Sequence, residues 1–347
     1  MSKVSPSSLF CYNTFMFSKP IDFLAIGDTV SDAFIRLKEA HVTCSVDKEN
    51  CELCMKFGDK IPYESVTVLH AVGNSANAAV SASRLGLRSA LLTNLGGDQN
   101  GTDAIAELKR NGVNTKHVSV TKGLPTNYHY VLWYGDERTI LVKHQDFPYR
   151  LPALSKNPKW VYLSSLGASS YDYHVEISKW LDANPDIKVA FQPGTFQMSL
   201  GLEKLAGLYK RCDVFFCNKE EAQRILGTDE SDMRKLMEMM REKGPKTVIL
   251  TDGPNGAYAY DGSSALFMPT YPDKKPPYER TGAGDAFAST LTVALALGKT
   301  LEEALTWAPI NSASVVQEIG AQRGLLTKTG LEKALAEAPM DYRPRKI

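Results

Sequence analysis

The chain alternates, over most of its length, between short apolar runs and amphipathic segments. IDFLAIG (21–27), SALLTNLG (89–96) and VFFCN (214–218) are almost wholly apolar, which is typical of strands buried on both faces of a parallel sheet. Segments of helical periodicity lie between such runs, and GTDAIAELKRNG (101–112) ends at a glycine stop. The pattern predicts an α/β fold in which helices cover both faces of a mostly parallel central sheet.

Two stretches depart from this pattern, at about 31–70 and 117–145. In both of them apolar and polar residues alternate between turn residues, which is typical of half-exposed strands. We predict that the two stretches form a small second sheet, a lid that projects from the main domain.

Composition and charge exclude several classes of function. The 347 residues include 40 Lys and Arg against 39 Asp and Glu, so no overall field favours nucleic acid or a membrane surface. Residues 1–20 lack the apolar region of a signal peptide, and no other run approaches membrane-spanning length. We therefore expect a cytoplasmic protein with an N-terminal extension at 1–20 and a loose basic tail at 339–347.

The six cysteines are predicted to be free thiols, because the chain is long and no export signal is evident. The spacing of CELC (51–54) suits zinc, with Cys44 upstream and His41 or His70 nearby. A structural zinc site needs four ligands, and a second strong pair is missing. Reduced thiols in the lid are the preferred interpretation.

The clearest chemical signal is YERTGAGDAFAST (278–290). Gly282, Ala283 and Gly284 precede an acid and a helical run, and the unpaired amides of such a helix start favour an anion. Asp285 in the first turn suits a general base that takes a proton from a hydroxyl. The segment predicts phosphoryl transfer; for the motif alone, a plain helix start is the alternative.

Two other segments follow predicted strands at the edge where ligands bind in parallel α/β sheets. In NKEE (218–221), Asn218 is placed to cap a helix while Glu221 faces the crevice at the strand ends. TDGPNG (251–256) follows the next strand, and a plain turn is its alternative interpretation.

Two further polar residues are candidate ligand contacts. Asn77 lies in GNSANAAVSASRLG (73–86), where tight helix packing explains the alanines but not the asparagine. Asp32 follows the first strand, where a carboxylate can accept two sugar hydroxyls; a solvated loop residue is the alternative.

Residues 21–338 resemble the PfkB family of carbohydrate kinases, the ribokinase and adenosine kinase group. The segments that carry the resemblance, in the family's order and spacing, are GDTVSD (27–32), GNSANAAVSASRLG (73–86), LGGDQNG (95–101), NKEEAQRILG (218–227), TDGPNGAYAY (251–260) and RTGAGDAFAST (280–290). The resemblance implies one kinase domain at 21–338, with a ribokinase-like three-layer α/β/α sandwich and a small β-sheet lid.

The resemblance also implies roles for individual residues. Asp285 matches the catalytic base, and the amides of Ala283, Gly284 and Asp285 after Gly282 match the anion hole. Asn218 and Glu221 match the pair that orders water around Mg²⁺ on the ATP phosphates. The matched nucleotide positions are Thr251, Gly253, Gly256 and Asn311, and the matched sugar positions are Asp32, Gly73 and Asn77.

The sequence departs from the family pattern at two places. Glu279 and Arg280 stand where the family usually has Asp-Thr, and Val72 precedes Gly73 where the family often has a second glycine. The first change falls near a monovalent cation site or nucleotide contact, so potassium activation is left open. The catalytic turn itself is intact.

The charge of the GNSAN segment narrows the range of possible phosphoryl acceptors. GNSAN (73–77) has neither Lys nor Arg, which favours a neutral acceptor over a sugar phosphate. Tyr128, Tyr130 and Arg138 are candidate lid contacts, and Arg138 with Lys143 would be the partners of a phosphosugar.

A nucleoside is the other neutral candidate. Aromatic residues in NYHYVLWY (127–134) could stack a base, although ordinary cross-strand packing explains them as well. FQPGTFQ (191–197) resembles a segment of the adenosine-kinase-like branch.

We therefore expect ATP- and Mg²⁺-dependent phosphorylation of a primary hydroxyl of a free sugar or nucleoside, under a lid that excludes water. The alternatives are a phosphosugar kinase and a nucleotide- or sugar-binding sensor. A dinucleotide-dependent oxidoreductase is remote, because no G-x-G-x-x-G follows a strand. The sugar or nucleoside, the hydroxyl and the oligomeric state stay open; the resemblance implies a homodimer through the lid.

Overall fold

The computed structural model describes residues 20–44, 51–135, 137–272 and 275–347, so nearly all of the predicted N-terminal extension lies outside the described residues. The strands, numbered in chain order, are β1 Phe23–Ile26, β2 Val30–Leu37, β3 His41–Thr43, β4 Glu52–Cys54, β5 Tyr63–Val72, β6 Ser89–Gly96, β7 Val118–Thr121, β8 Asn127–Tyr134, β9 Glu137–Leu141, β10 Trp160–Leu163, β11 Lys188–Phe191, β12 Val214–Asn218, β13 Thr247–Thr251, β14 Ala257–Tyr260, β15 Ala265–Met268 and β16 Arg345–Lys346. The helices are α1 Asn74–Arg84, α2 Gln99–Arg110, α3 Tyr171–Ala183, α4 Thr195–Leu200, α5 Ala206–Arg211, α6 Lys219–Leu226, α7 Met233–Glu242, α8 Ala283–Ala296, α9 Leu301–Val315 and α10 Lys328–Ala336.

Ten strands of the described chain form the central sheet, in the order β7-β6-β1-β10-β11-β12-β13-β14-β15-β16. The strands from β7 to β13 run parallel to one another, and β14, β15 and β16 extend one edge antiparallel. The predicted mostly parallel sheet is confirmed. The antiparallel extension was not predicted, because its short strands have no distinctive spacing.

The core lies on both faces of this sheet. In β1, Phe23 and Ala25 pack in one cluster with α1, α8 and α9, while Leu24 and Ile26 pack in a second cluster with α3 and α7. Successive side chains of a strand point to opposite faces, so a wholly apolar run such as FLAI contributes to both clusters. This gives the three-layer arrangement.

A separate four-stranded sheet has the order β5-β2-β8-β9, and β3 pairs with β4 beside it. We call these strands the lid. Val118–Thr121, which we placed in the second lid segment, instead pairs parallel with β6 at the edge of the central sheet. Its half-exposed alternation is the same in either sheet, so the pattern alone could not separate the two positions.

The cysteine prediction was wrong for two residues. Cys44 and Cys51 form a disulfide, because antiparallel pairing of Thr43 with Glu52 brings the next residues face to face. Among the described residues, no group of three or more His, Cys, Asp or Glu could hold a metal ion, so the zinc alternative is not supported there. Cys54, Cys212 and Cys217 are free.

Helix α5 begins at Ala206, and α9 ends at Val315. In the part of the chain that the structure describes, no helix has both the length and the apolar character to cross a bilayer.

Candidate active site

The predicted site residues converge on the carboxyl-terminal edge of the parallel strands. Asn218 at the end of β12 is the register partner of Thr251 at the end of β13, and Gln192 directly follows β11. Parallel strands all end at this edge, so residues distant in sequence become neighbours there. The same edge receives the first turns of α1 and α8.

The glycine turn begins α8 as predicted. Gly282 is the N-cap residue, has φ +82°, and supplies no side-chain cap. A Cβ at Gly282 would overlap Ala321, whereas a Cβ at Gly284 would meet only the Gln192 Nε2, at 3.9 Å. The first amides of a helix have no intrahelical acceptor, so this end of α8 presents N–H groups to an open space.

Asp285 accepts hydrogen bonds from three side-chain amides. Asn74 Nδ2 donates to Oδ1 at 2.8 Å, Asn77 Nδ2 donates to Oδ2 at 2.8 Å, and Gln192 Nε2 donates to Oδ1 at 3.2 Å. Burial raises the pKa of Asp285, and the three amide donors oppose that rise. Asn77 is therefore next to the predicted base, while Asn74 and Gln192 were missed.

A second layer of bonds orients these amides. Gln322 Nε2 donates to Asn77 Oδ1 at 2.9 Å and to the Ala71 carbonyl at 2.7 Å. The Tyr162 hydroxyl donates to Gln192 Oε1. With their oxygens engaged, both amides turn their NH₂ groups toward Asp285. Asn74 and Gln192 lie in the quoted segments GNSAN (73–77) and FQPGTFQ (191–197), but those segments do not show which of their side chains face Asp285.

Asn218 and Glu221 form a reciprocal capping box at the start of α6. Asn218 Oδ1 accepts from the Glu221 amide at 2.7 Å, and the Glu221 carboxylate accepts from the Asn218 amide at 2.9 Å. Burial raises the pKa of Glu221, and the negative charge of Asp285 adds to the rise. The two carboxylates therefore lie in one crevice.

A cavity of about 510 Å³ opens beside the start of α8. Its lining includes the three predicted nucleotide residues of the β13 turn and four residues of the segment 280–290. These are Thr251, Gly253, Gly256, Arg280, Ala283, Gly284 and Phe287. Its volume is in the range of small-molecule sites.

Asn311 does not border this cavity. Its side chain is 0% exposed, donates to Thr290 Oγ1 at 2.8 Å and accepts from the Leu326 amide at 2.9 Å. Asn311 therefore joins α8, α9 and the chain before α10, and its contact with a nucleotide stays a prediction. The helical pattern could not show which face of α9 points inward.

The lid has an inner face, which we define by Asp32, Arg36, His129, Trp133 and Arg138. Strand register pairs Asp32 with His129, Arg36 with Trp133, and Trp133 with Arg138. Asp32 is buried, and its Oδ1 lies 3.4 Å from His129 Nδ1. Asp32 Oδ1 and His129 Nε2 have no hydrogen-bond partner. Buried polar atoms without partners are candidates for ligand contact.

Three other predicted acceptor contacts are placed differently. Gly73, with φ +106°, lies against the Asp28 carbonyl and so sets where α1 begins. Tyr130 is 49% exposed and alternates with His129, so it lies on the opposite face of the lid from Asp32. Arg138 is engaged with Glu279 at 3.3 Å. These placements remove the sequence argument for direct acceptor contacts by Tyr130 and Arg138.

The chain is similar to a known family of kinases. Residues 38–328 match the family model described as pfkB family carbohydrate kinase. Ribokinase of Bacillus subtilis is 29% identical over 80% of this chain and 94% of its own length. The nucleoside kinase of Methanothermobacter thermautotrophicus is 25% identical over 89% of this chain and 93% of its own length.

Among solved structures, Arabidopsis thaliana ribokinase complexed with ribose and ATP superposes with a TM-score of 0.76. The superposition covers 91% of this chain and 99% of that one, at 20% identity. That likeness confirms the ribokinase fold. The family match spans most of the chain and includes the segments that build the crevice, so the protein belongs to the pfkB family of carbohydrate kinases.

Proposed function

We propose that the protein transfers the γ-phosphoryl group of ATP to a primary hydroxyl of a free sugar or nucleoside, with Asp285 as general base. The observation that carries this proposal is the setting of Asp285. Its carboxylate is held by three amide donors at the open start of α8, beside the cavity at the β13 turn.

The hydrogen bonds of Asp285 leave room for a base function. Two donors occupy Oδ1 and one occupies Oδ2, whereas an ionised carboxylate has about four acceptor sites. A lone pair on Oδ2 therefore remains for the proton of the acceptor hydroxyl. The raised pKa of Asp285 makes it a stronger base than an ordinary aspartate.

The start of α8 supplies donors for the transferring group. The amides of Gly284 and Asp285 lie at N2 and N3 of the helix, where they have no intrahelical acceptor. The Ala283 amide at N1 makes only a long hydrogen bond, of 3.5 Å, to the Arg280 carbonyl. Donors fixed in this way stabilise charge that develops on the phosphoryl oxygens. Arg280 lines the same cavity, where its guanidinium adds positive charge.

Asn218 and Glu221 are the residues that would hold Mg²⁺ through its waters. Among the described residues there is no dense cluster of ligating side chains, which fits a metal that keeps most of its waters and binds through one or two carboxylates and phosphates. When bound, Mg²⁺ would neutralise phosphate charge. Glu221 is partly buried in the crevice near Asp285, as this role requires.

The lid supports a neutral, hydroxyl-bearing acceptor. Asp32 Oδ1 and His129 Nε2 are buried and unpaired, so they are available to hydroxyl groups. Arg138, the best sequence candidate for binding a substrate phosphate, is paired with Glu279. Free sugars and nucleosides are accordingly favoured over sugar phosphates.

The test is ADP release from Mg·ATP with a panel of free sugars, nucleosides and sugar phosphates. A neutral acceptor should support turnover, and Asp285→Asn should reduce kcat by about 10²–10⁴-fold because the general base is lost. Glu303→Gln is the matched control, since Glu303 is the third residue of α9 in a capping box with Thr300. Turnover by Asp285→Asn at the wild-type rate would contradict the assignment, and turnover of sugar phosphates alone would overturn the acceptor class.

A further inference from the structure

Glu279 is a buried carboxylate placed just before the catalytic turn. It is 2% exposed, accepts from the Thr281 amide at 2.7 Å and from the Gly320 amide at 3.2 Å, and also accepts from the Thr281 hydroxyl. One carboxylate therefore holds two segments together: the residues that lead into Gly282, and the turn that follows α9.

The charge of Glu279 is balanced from the lid. Arg138 on β9 places Nη1 3.3 Å from Glu279 Oε1. A carboxylate removed from water needs both hydrogen bonds and a nearby cation. Among the described residues, Arg138 is the ion-pair partner of Glu279, so the lid supplies the cation that balances this carboxylate.

The residue before Glu279 makes a second contact with the inner face of the lid. Tyr278 packs against the edge of Trp133, with ring centroids 5.2 Å apart. Arg36 lies over the Trp133 ring at 4.6 Å and donates to the Tyr278 hydroxyl at 3.5 Å. Trp133 and Arg138 are register partners on neighbouring strands, so a single patch of the lid meets Tyr278 and Glu279 together.

We propose that Arg138 is a positioning residue that couples the lid to the anion-binding turn through Glu279. The inference rests on the proposed kinase function. When the lid is seated, Arg138 neutralises Glu279, and Glu279 then holds Thr281 and Gly320 so that the first amides of α8 keep their direction. Arg138 acts through Glu279 and contacts neither ATP nor the acceptor.

The kinetic test compares Arg138→Gln with Arg110→Gln, a surface arginine that is 72% exposed and paired with Glu107. Arg138→Gln should lower kcat by about tenfold or more, because a directly coupled pair is broken. The KM values for ATP and for the best acceptor of the panel should stay within about threefold, because no substrate contact is lost. Arg138→Lys should recover part of kcat, since it keeps the charge but not the planar fork.

A double variant tests the coupling itself. Arg138→Gln combined with Glu279→Gln should cost no more than the worse single change, because both changes remove one interaction. Independent, multiplicative losses would overturn the proposal, as would a folded Arg138→Gln protein with kcat within about twofold of the wild type. Should Arg138→Gln fail to fold, Arg138→Lys and Glu279→Gln carry the same cycle.

An activity-independent measurement separates this proposal from the proposed function. Amide hydrogen exchange of the ligand-free protein should accelerate by about tenfold in the 278–285 segment of Arg138→Gln, while exchange at the start of α6 stays unchanged. If no acceptor supports turnover, the kinase assignment fails and the exchange result still decides the coupling. Unchanged exchange over 278–285 would refute the coupling between Arg138 and the turn. Equal acceleration over 278–285 and at the start of α6 would also overturn it, because it would indicate only general destabilisation.

Discussion

Helices α6 and α8 border the same crevice, and both carry a carboxylate three residues after the N-cap. In α6 the cap is Asn218, and its side chain and Glu221 each bond the other's backbone amide. In α8 the cap is Gly282, which has no side chain to bond the helix start. Asp285 instead faces side-chain amides from α1 and from the end of β11.

The difference shows how the cap residue decides the use of a helix start. An asparagine cap satisfies the first amides within the helix, and Glu221 is left to act through its charge. A glycine cap leaves the amides available to a ligand, and the acid is free to bond elsewhere. An acid three residues after the cap therefore helps to stabilise the start of α6, whereas at α8 it lies beside a candidate anion site.

Apart from the loss of Asp285 itself, the largest expected effect comes from adding one methyl group at each glycine of the α8 start. Gly284→Ala should lower kcat/KM for ATP by about 100-fold, since its Cβ enters the phosphate side of the cavity, while stability rises by about 0.5–1 kcal/mol. Gly282→Ala should destabilise the fold by about 1–3 kcal/mol through its positive φ and its overlap with Ala321. Steady-state kinetics and urea unfolding test the pair; loss of stability in Gly284→Ala would contradict the open space seen there.

The pH dependence of activity tests the setting of Asp285. The base must be ionised to act, and burial raises the pKa of Asp285. Below that pKa, kcat/KM should fall about tenfold for each pH unit. This acidic limb of the pH profile should lie at a higher pH than the ordinary aspartate pKa of about 3.9. Asn74→Ala removes a donor that lowers the pKa of Asp285, so the limb should move to still higher pH. If the acidic limb does not move in Asn74→Ala, the titrating group is not Asp285 but another carboxylate, such as Glu221.

The smallest expected effect concerns the charge of the α6 start. Glu221→Gln keeps an oxygen for the Asn218 amide but loses the negative charge, so the Mg²⁺ concentration for half-maximal ADP release should rise about tenfold. Glu303→Gln makes the same change in the capping box of α9 and should leave that concentration unaltered. An equal response of the two variants would show that Glu221 has no specific part in holding the metal.

Prediction from sequence was strongest where one short segment contains all the residues of a structural feature. The glycine turn before Asp285, the capping pair Asn218 and Glu221, and the turn at 251–256 all lie at the crevice, where the motifs placed them. It failed where the partner is distant in sequence. The donors Asn74 and Gln192 are 211 and 93 residues from Asp285, so the segments that contain them do not show that their side chains meet its carboxylate.

The sequence by itself determined the α/β alternation, the glycine turn before Asp285 and the family, because apolar period, glycine placement and cap chemistry are local properties. Only the tertiary structure decided which residues distant in sequence contact one another. It turned Asn311 inward and Tyr130 outward, paired Cys44 with Cys51, and joined Arg138 to Glu279. Those outcomes depend on which strand ends meet and on which face of a helix or strand is covered. The sequence of a single segment contains neither kind of information.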